Sequence, residues 1–351
     1  MAKQDFEVVL DGSDKQVAEF QQRRSIADGI HEFLHGNITI IPIIVLLLSL
    51  LVFGSIIGER FFAPFNLSLI IQQVSIIGIL GIAQTLIILT AGIDLSVAAI
   101  MVLSSVVMGN VAVSMGFPPV IAIPLGFITG MVCGALNGLL VTRLRLPPFI
   151  ATLGTWNIFF ALNLWYSGSQ SIRSQAIDKT APVLKFFGTR VELFGTQFTY
   201  GSFLMVALCI LFWYILNRTA WGRHVYAVGD DPEAAELSGI NTKRTLVSVY
   251  VVAGLLCGVA AWAAIGRVGS ISPQSFYEGN LEAITAVVIG GTSLFGGRGS
   301  VIGTVIGALI VGVFRNGLAL AGVDVLWQVF AIGWLIIIAV AFDQWIRKVS
   351  A

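Results

Sequence analysis

The chain has 351 residues, of which 56% are hydrophobic and only 11% are charged. A soluble globular domain carries about 25% charged residues, so a chain with a mean hydropathy of +0.90 could not cover its surface in water. Its net charge of +1 offers no basic field to nucleic acid. The composition therefore predicts an all-α polytopic membrane bundle surrounded by lipid.

Ten apolar runs follow one another along the chain, most of them close to the ~20 residues that cross a bilayer. Eight of them cover 38–58, 67–91, 95–115, 117–142, 146–167, 199–217, 245–266 and 325–342. The other two are short helices predicted within 283–323, where the chain turns back near Arg298. Ten spans put both termini on one side, which would hold thirteen of the twenty Lys and Arg residues. The positive-inside rule therefore predicts cytoplasmic termini.

These spans divide the chain into a polar segment (1–37), a transmembrane domain (38–346) and a cytoplasmic tail (347–351). The domain contains a long outer loop at 168–198 and an inner loop at 218–244. Within the first segment, apolar and charged residues between positions 17 and 34 alternate as in an amphipathic helix on the membrane surface. A plain polar tail is the alternative.

Motifs for catalysis are few. No G-x-x-x-x-G-K-[ST] sequence provides a P-loop, because the glycine-rich stretch 290–299 lacks the lysine. His31-Glu32-Phe33-Leu34-His35 matches the H-E-x-x-H zinc motif. A catalytic zinc needs a third protein ligand, and the remaining histidine, His224, lies far away in the inner loop. We therefore expect no enzyme activity, no catalytic residue, no metal and no cofactor, with a metalloprotease as the minor alternative.

Charged residues within the spans would be the mark of ion-coupled transport. Asp94, Glu282 and Asp324 lie only at span ends, and Arg315 lies inside a span without an identifiable partner. These positions form no obvious proton relay, so ion coupling is weakly supported.

The inner loop contains a short helix signal. Asp231 is a good N-cap, Pro232 suits the first helical position, and Gly239 suits the stop after the helix. The predicted helix, 232–238, is far below the ~12–15 residues that are stable alone. It must dock either on its own chain or on a soluble partner that receives Ala234, Ala235 and Leu237.

The segment Pro232–Gly239 resembles the Glu-Ala-Ala coupling loop of bacterial ABC-importer permeases. Ala91–Ser96, Leu146–Thr155 and Ala286–Ser300 resemble the permeases of ribose, xylose, arabinose and fructose importers. The resemblance covers about residue 38 to the end. Three further stretches, 9–15, 221–224 and 343–348, are most similar to fructose-import permeases.

The resemblance implies a permease subunit that moves a monosaccharide, fructose or a ribose-like sugar, across the bacterial inner membrane. It also implies a second permease copy, as a homodimer, two ATPase subunits on the inner face and a periplasmic sugar-binding protein outside. The residues that contact the ATPase would be Asp231, Pro232, Glu233, Ala234, Ala235, Glu236, Leu237 and Gly239. The alternative is a stand-alone carrier or channel for a small polar solute.

Two further groups of residues are candidates, one for a structural turn and one for the transport pathway. Family members often have Gly-Gly-Ile-Asp-Leu-Ser-Val-Gly where this chain has Ala91 and Ala98, and we expect the tight turn at Gly92 to survive. Asp94, followed by Ser96, is predicted to cap the third span.

The candidate pathway residues are Thr152, Thr155, Trp156 and Asn157. Their hydroxyl, amide and ring groups suit a sugar, and interhelical hydrogen bonding is the alternative.

Overall fold

The computed structural model describes residues 39–193 and 195–350. The predicted surface helix at 17–34 and the H-E-x-x-H stretch at 31–35 lie outside these residues.

The first half of the described chain is helical, and three of its long helices begin with a proline, whose fixed φ suits the first turn. The elements are α1 (Ile40–Ile57), α2 (Glu59–Phe62), α3 (Pro64–Leu89), α4 (Val97–Gly109, continued as a π-helical turn over Asn110–Ser114), α5 (Pro119–Arg143) and α6 (Pro148–Ser167).

The predicted outer loop contains small elements of its own. These are α7 (Ser174–Thr180), a 3-10 helix (Pro182–Gly188) and the strands β1 (Arg190–Leu193) and β2 (Thr196–Thr199). The two strands pair antiparallel, with Val191 opposite Phe198.

The second half of the chain returns to helices. They are α8 (Tyr200–Arg218), α9 (Ala220–Asp230), α10 (Pro232–Leu237), α11 (Thr242–Val268), α12 (Gly279–Ile289), α13 (Val301–Leu320) and α14 (Val325–Ser350).

Each of the ten predicted apolar runs corresponds to a helix, which confirms the polytopic helical class. Among the described residues, seven helices are long and apolar enough to cross a membrane, namely α1, α3, α4 with its π-helical turn, α5, α8, α11 and α13. Helix α12 and the first part of α14 are shorter apolar helices. The predicted pair within 283–323 is α12 and α13, although α13, at 20 residues, is longer than expected.

Helix α3 forms the centre of the bundle and is buried along nearly all of its second half. Helix α11 packs against α3, α4 and α5. Outward faces remain apolar, as Leu47, Leu48 and Leu51 of α1 illustrate, all more than half exposed. An apolar exterior around an apolar core is what a hydrocarbon environment requires.

Candidate functional site

Helix α10 forms as the sequence predicts, one residue shorter. Asp231 Oδ1 accepts hydrogen bonds from the backbone N–H groups of Glu233 (2.9 Å) and Ala234 (3.0 Å), which are free at a helix start. Pro232 occupies the first helical position. Gly239 adopts φ +83°, a left-handed conformation that glycine takes at little cost, and ends the helix. The local signals therefore account for this segment.

Helix α10 has one buried residue, Ala235, which faces its own chain. Ala234 is exposed, and Leu237 is 90% exposed at the end of the helix. Glu233 and Glu236 are exposed as well. Of the three residues predicted to enter a partner, two are therefore accessible and one is not.

Helix α9 connects α10 to the bundle. Val225 and Val228 of α9 are buried. Gly229 lies so close to the Leu89 carbonyl oxygen that a Cβ atom would overlap it. The Tyr226 hydroxyl donates a hydrogen bond to the Gly299 carbonyl oxygen (2.9 Å). Helix α9, which leads into α10, is therefore packed directly on the loops that follow α3 and α12.

The loops after α3 and α12 also contact each other. The Gly297 N–H donates a hydrogen bond to the Leu89 carbonyl oxygen (3.0 Å). Thr152 of α6 joins the same region, since its hydroxyl oxygen accepts from the Leu95 N–H (3.1 Å). The four segments that carry the family resemblance, far apart in sequence, thus meet at one end of the bundle.

The expected role of Asp94 as the cap of the third span is wrong. Helix α4 begins at Val97 with Ser96 as its N-cap, and Asp94 lies two residues earlier, only 1% exposed. Its Oδ1 accepts from the Ser96 N–H and hydroxyl (both 2.6 Å), and its Oδ2 accepts from Asn137 Nδ2 (3.2 Å). The side-chain amide of Gln84, with its NH₂ toward the Asp94 carbonyl, pairs with both backbone groups of Asp94 at 3.1 Å.

Burial raises the pKa of the Asp94 carboxyl, while its hydrogen bonds to Ser96 and Asn137 act in the opposite direction. The residue is the centre of a polar network rather than a surface cap.

The turn after α3 also differs from expectation, because its left-handed residue is Ala91 (φ +59°) and not Gly92. The Gly92 N–H donates to the Ile87 carbonyl oxygen (3.1 Å) and the Ala91 N–H to that of Ile88 (2.9 Å). This is the Schellman pattern, in which the residue directly after the cap takes positive φ. Alanine therefore occupies a position that favours glycine.

The candidate pathway residues do not share one environment. Thr152 and Thr155 are buried, and Thr152 bonds within the 91–96 region described above. Trp156 is partly buried, with its ring centroid 5.5 Å from that of Tyr277. Asn157 is exposed and donates to the Leu153 carbonyl oxygen (3.0 Å) on its own helix. For Thr152 these contacts favour the interhelical alternative, whereas a transport role for the group stays a prediction.

Sequence reasoning missed a cavity of about 570 Å³ between α3, the end of α11, α12 and α13. It is lined by Arg315, for which the sequence indicated no partner. The structure pairs Arg315 Nη1 with Glu282 Oε1 at 2.5 Å. The two residues are brought together because α12 and α13 run back along each other after the turn at 290–300. Within the described part of the chain, no group of three His, Cys, Asp or Glu side chains is placed to hold a metal.

An apolar bundle with several helices long enough to cross a membrane and its motif-bearing loops gathered at one end defines a multi-pass helical membrane protein. Residues 66–340 match the family model described as "Branched-chain amino acid transport system / permease component". The chain therefore belongs to this permease family.

Several known proteins are similar to this chain over nearly its full length. The chain is 56% identical to the fructose import permease protein of Rhizobium meliloti, over 99% of this chain and 97% of that protein. It is 39% identical to the ribose import permease protein of Bacillus subtilis, over 94% and 98% of the two chains. It is 36% identical to the D-allose transport system permease protein of Escherichia coli, over 90% and 92%. No solved structure matches the chain.

These comparisons confirm the predicted family and class. The chain is a multi-pass permease subunit of an ABC importer and not an enzyme in itself. Permease components of this kind work with ATPase and binding-protein partners.

Proposed function

We propose that this permease imports a monosaccharide across the bacterial inner membrane, with fructose as the first substrate to test and ribose-like sugars as the second. The support is the order of similarity, since the relative named for fructose import is 56% identical and the relatives named for ribose and allose are 39% and 36% identical. The working unit would be two copies of this chain with two ATPase subunits inside and a sugar-binding protein outside.

We assign the contact with the ATPase to the segment 231–239. The main support for this assignment is that Leu237 is 90% exposed on a helix of six residues. Within its own chain this helix has only a local N-cap and one buried alanine to stabilise it. A helix of this length is not stable by itself. Burying a leucine side chain contributes about 1.5–3 kcal/mol, so a groove on a soluble subunit would stabilise α10 and gain affinity from Leu237.

Motion of α10 would reach the bundle through α9. Gly229 rests on the Leu89 carbonyl, and Tyr226 is hydrogen-bonded to Gly299. A displacement of the coupling segment by closure of the ATPase pair therefore acts on the ends of α3 and α12 together. Such a rigid connection suits alternating access, in which the bundle has two packings and ATP selects between them.

Co-purification of the ATPase with the permease tests this assignment. Leu237→Asp and a deletion of 231–239 should abolish recovery of the ATPase and leave the permease in the membrane. The matched control is Leu144→Asp, since Leu144 is 65% exposed and lies in another loop at the same end of the bundle. Retained ATPase in the Leu237 variant would contradict the assignment. Sugar uptake by the permease alone, driven by an ion gradient in proteoliposomes, would instead favour a stand-alone carrier.

A further inference from the structure

The cavity beside Glu282 and Arg315 lies at the end of the bundle opposite to the coupling segment. Glu282 is in the first turn of α12, Arg315 is near the end of α13, and Arg267 is at the end of α11. The loop 290–300, which contacts α9, lies at the other ends of α12 and α13. With α10 on the cytoplasmic side, as predicted, the cavity is therefore in the outer half of the bundle.

The polar lining of this cavity has balanced charge. Arg267 and Arg315 are matched by Glu278 and Glu282, so their formal sum is zero. Such a site has no net attraction for an anion or a cation and suits a ligand of zero net charge. The volume of about 570 Å³ falls in the range of small-molecule sites.

The ion pair in the cavity is not sealed off from ligands. The Glu282 side chain is 18% exposed and that of Arg315 is 39% exposed. A carboxylate has about four acceptor positions and a guanidinium five donors, and their mutual contact uses only part of them. Charged side chains inside a membrane domain are costly and are typically retained for function.

Two amides and an aromatic ring complete the lining. Gln73 and Asn316 can each donate and accept hydrogen bonds. Asn316 Oδ1 is buried and the Asn316 Nδ2 group donates to Asn66 Oδ1 (2.9 Å), so the partly buried Gln73 is the amide that a ligand can reach. Tyr277 supplies a ring face and lies against Trp156, one of the candidate pathway residues, with 5.5 Å between ring centroids.

We propose that this cavity is a transient binding site for an uncharged monosaccharide, in which Glu282 accepts and Arg315 donates hydrogen bonds to sugar hydroxyls. A polyhydroxylated ring presents both donors and acceptors around its edge and apolar C–H groups on its face. The lining offers the complementary groups, with Tyr277 against the ring face. The inference rests on the proposed function, because it takes a sugar to be the transported solute.

Transport by the assembled complex in proteoliposomes tests the site. Glu282→Gln removes the carboxylate with little change of shape and should raise the KM for fructose uptake roughly tenfold, as expected when a hydrogen bond to a charged group is lost. Asp178→Asn is the control, since it breaks the Asp178–Lys185 ion pair (2.6 Å) in the outer loop and away from the cavity. It should transport like the parent chain and retain the parental ATPase activity of the assembled complex.

A charge reversal separates a sugar site from a purely structural pair. Glu282→Arg combined with Arg315→Glu keeps opposite charges in contact but exchanges donor and acceptor. The proposal expects this double variant to assemble and to remain impaired in uptake. Full recovery of uptake would overturn the proposal, because only the ion pair would then matter.

Chemical labelling supplies a second readout that does not depend on transport. Ala319, an exposed residue that lines the cavity, is changed to cysteine in a Cys209→Ala background, because the other two cysteines are buried. Millimolar fructose should slow maleimide labelling, and leucine should not. Protection by leucine would overturn the substrate class, and protection by neither would overturn the site. Failure of the parent complex to import any sugar would defeat the proposed function itself, which is a different result.

Discussion

Residues 231–239 and residues 91–96 lie at the same end of the bundle, yet they are held in opposite ways. The segment 231–239 satisfies its polar groups internally, through Asp231 and the turn at Gly239, and exposes most of its surface. The loop around Asp94 is buried and takes its partners from other helices, Gln84 of α3 and Asn137 of α5. The first segment can be displaced without breaking the bundle, whereas the second is part of the bundle itself.

The largest expected effect is therefore on the buried loop. Asp94→Ala removes the acceptor of three buried hydrogen bonds from Ser96 and Asn137. Buried donors without partners each cost about 1–3 kcal/mol, so we expect a loss of about 3 kcal/mol. The measurement is the melting temperature of the purified permease in detergent. Asp94→Asn, which keeps one side-chain oxygen, should lose less stability. Equal melting temperatures of Asp94→Ala and the parent would contradict the structural role of the buried Asp94 network.

The second effect concerns the junction of the two regions. Gly229→Ala places a methyl group against the Leu89 carbonyl and the Gly297 N–H, both backbone groups that cannot rotate away. Overpacking of this kind costs about 1–3 kcal/mol, and it should also lower sugar-coupled ATP hydrolysis. Gly154→Ala is the matched control, because no atom lies within 4 Å of its added methyl. Equal behaviour of the two variants would show that α9 is not tightly packed on the bundle.

The third effect is confined to α10. Asp231→Ala removes the cap and costs this helix about 1 kcal/mol, which corresponds to roughly fivefold weaker ATPase binding. The melting temperature of the bundle should stay unchanged, since both capped amides belong to the exposed helix. Titration of detergent-purified permease with the ATPase provides the measurement. Asp231→Asn, which still caps, should bind normally; a lowered melting temperature in Asp231→Ala would place α10 in the core.

The smallest expected effect is a gain in the stability of the permease. Ala91→Gly relieves a left-handed alanine at φ +59° and should stabilise the permease by about 1 kcal/mol. Ala98→Gly makes the same change inside helix α4 and should destabilise by about 0.5–1 kcal/mol. Melting temperatures that shift in opposite directions would support the assignment of Ala91 to the turn. A parallel decrease in both would contradict it.

The same contrast explains what the sequence could predict. The spans follow from apolar length alone, and α10 follows from an acceptor, a proline and a glycine whose partners all lie within nine residues. The Asp94 network could not be predicted, because its partners Gln84 and Asn137 are ordinary polar residues within spans. Their significance appears only after α3 and α5 are packed against the loop.

The cavity beside Glu282 and Arg315 was missed for a related reason. Glu282 and Arg315 are separated by the turn at 290–300 and by more than half of α13, and no local pattern connects them. An unpaired arginine within a span was the available signal, since such a residue must find a partner. The choice of Glu282 over Asp94 or Asp324 required the packing of α12 against α13.

The side of the membrane on which Leu237 lies decides whether α10 can contact a cytoplasmic ATPase. In a Cys209→Ala background, Leu237→Cys is exposed to a membrane-impermeant maleimide in sealed spheroplasts and in inverted vesicles, with Gln274→Cys as the marker of the opposite end. We expect Leu237→Cys to be labelled only in inverted vesicles, where added ATPase protects it, and Gln274→Cys to be labelled in spheroplasts. Labelling of Leu237→Cys in sealed spheroplasts would contradict the assignment of α10 to the cytoplasmic side and to the ATPase contact.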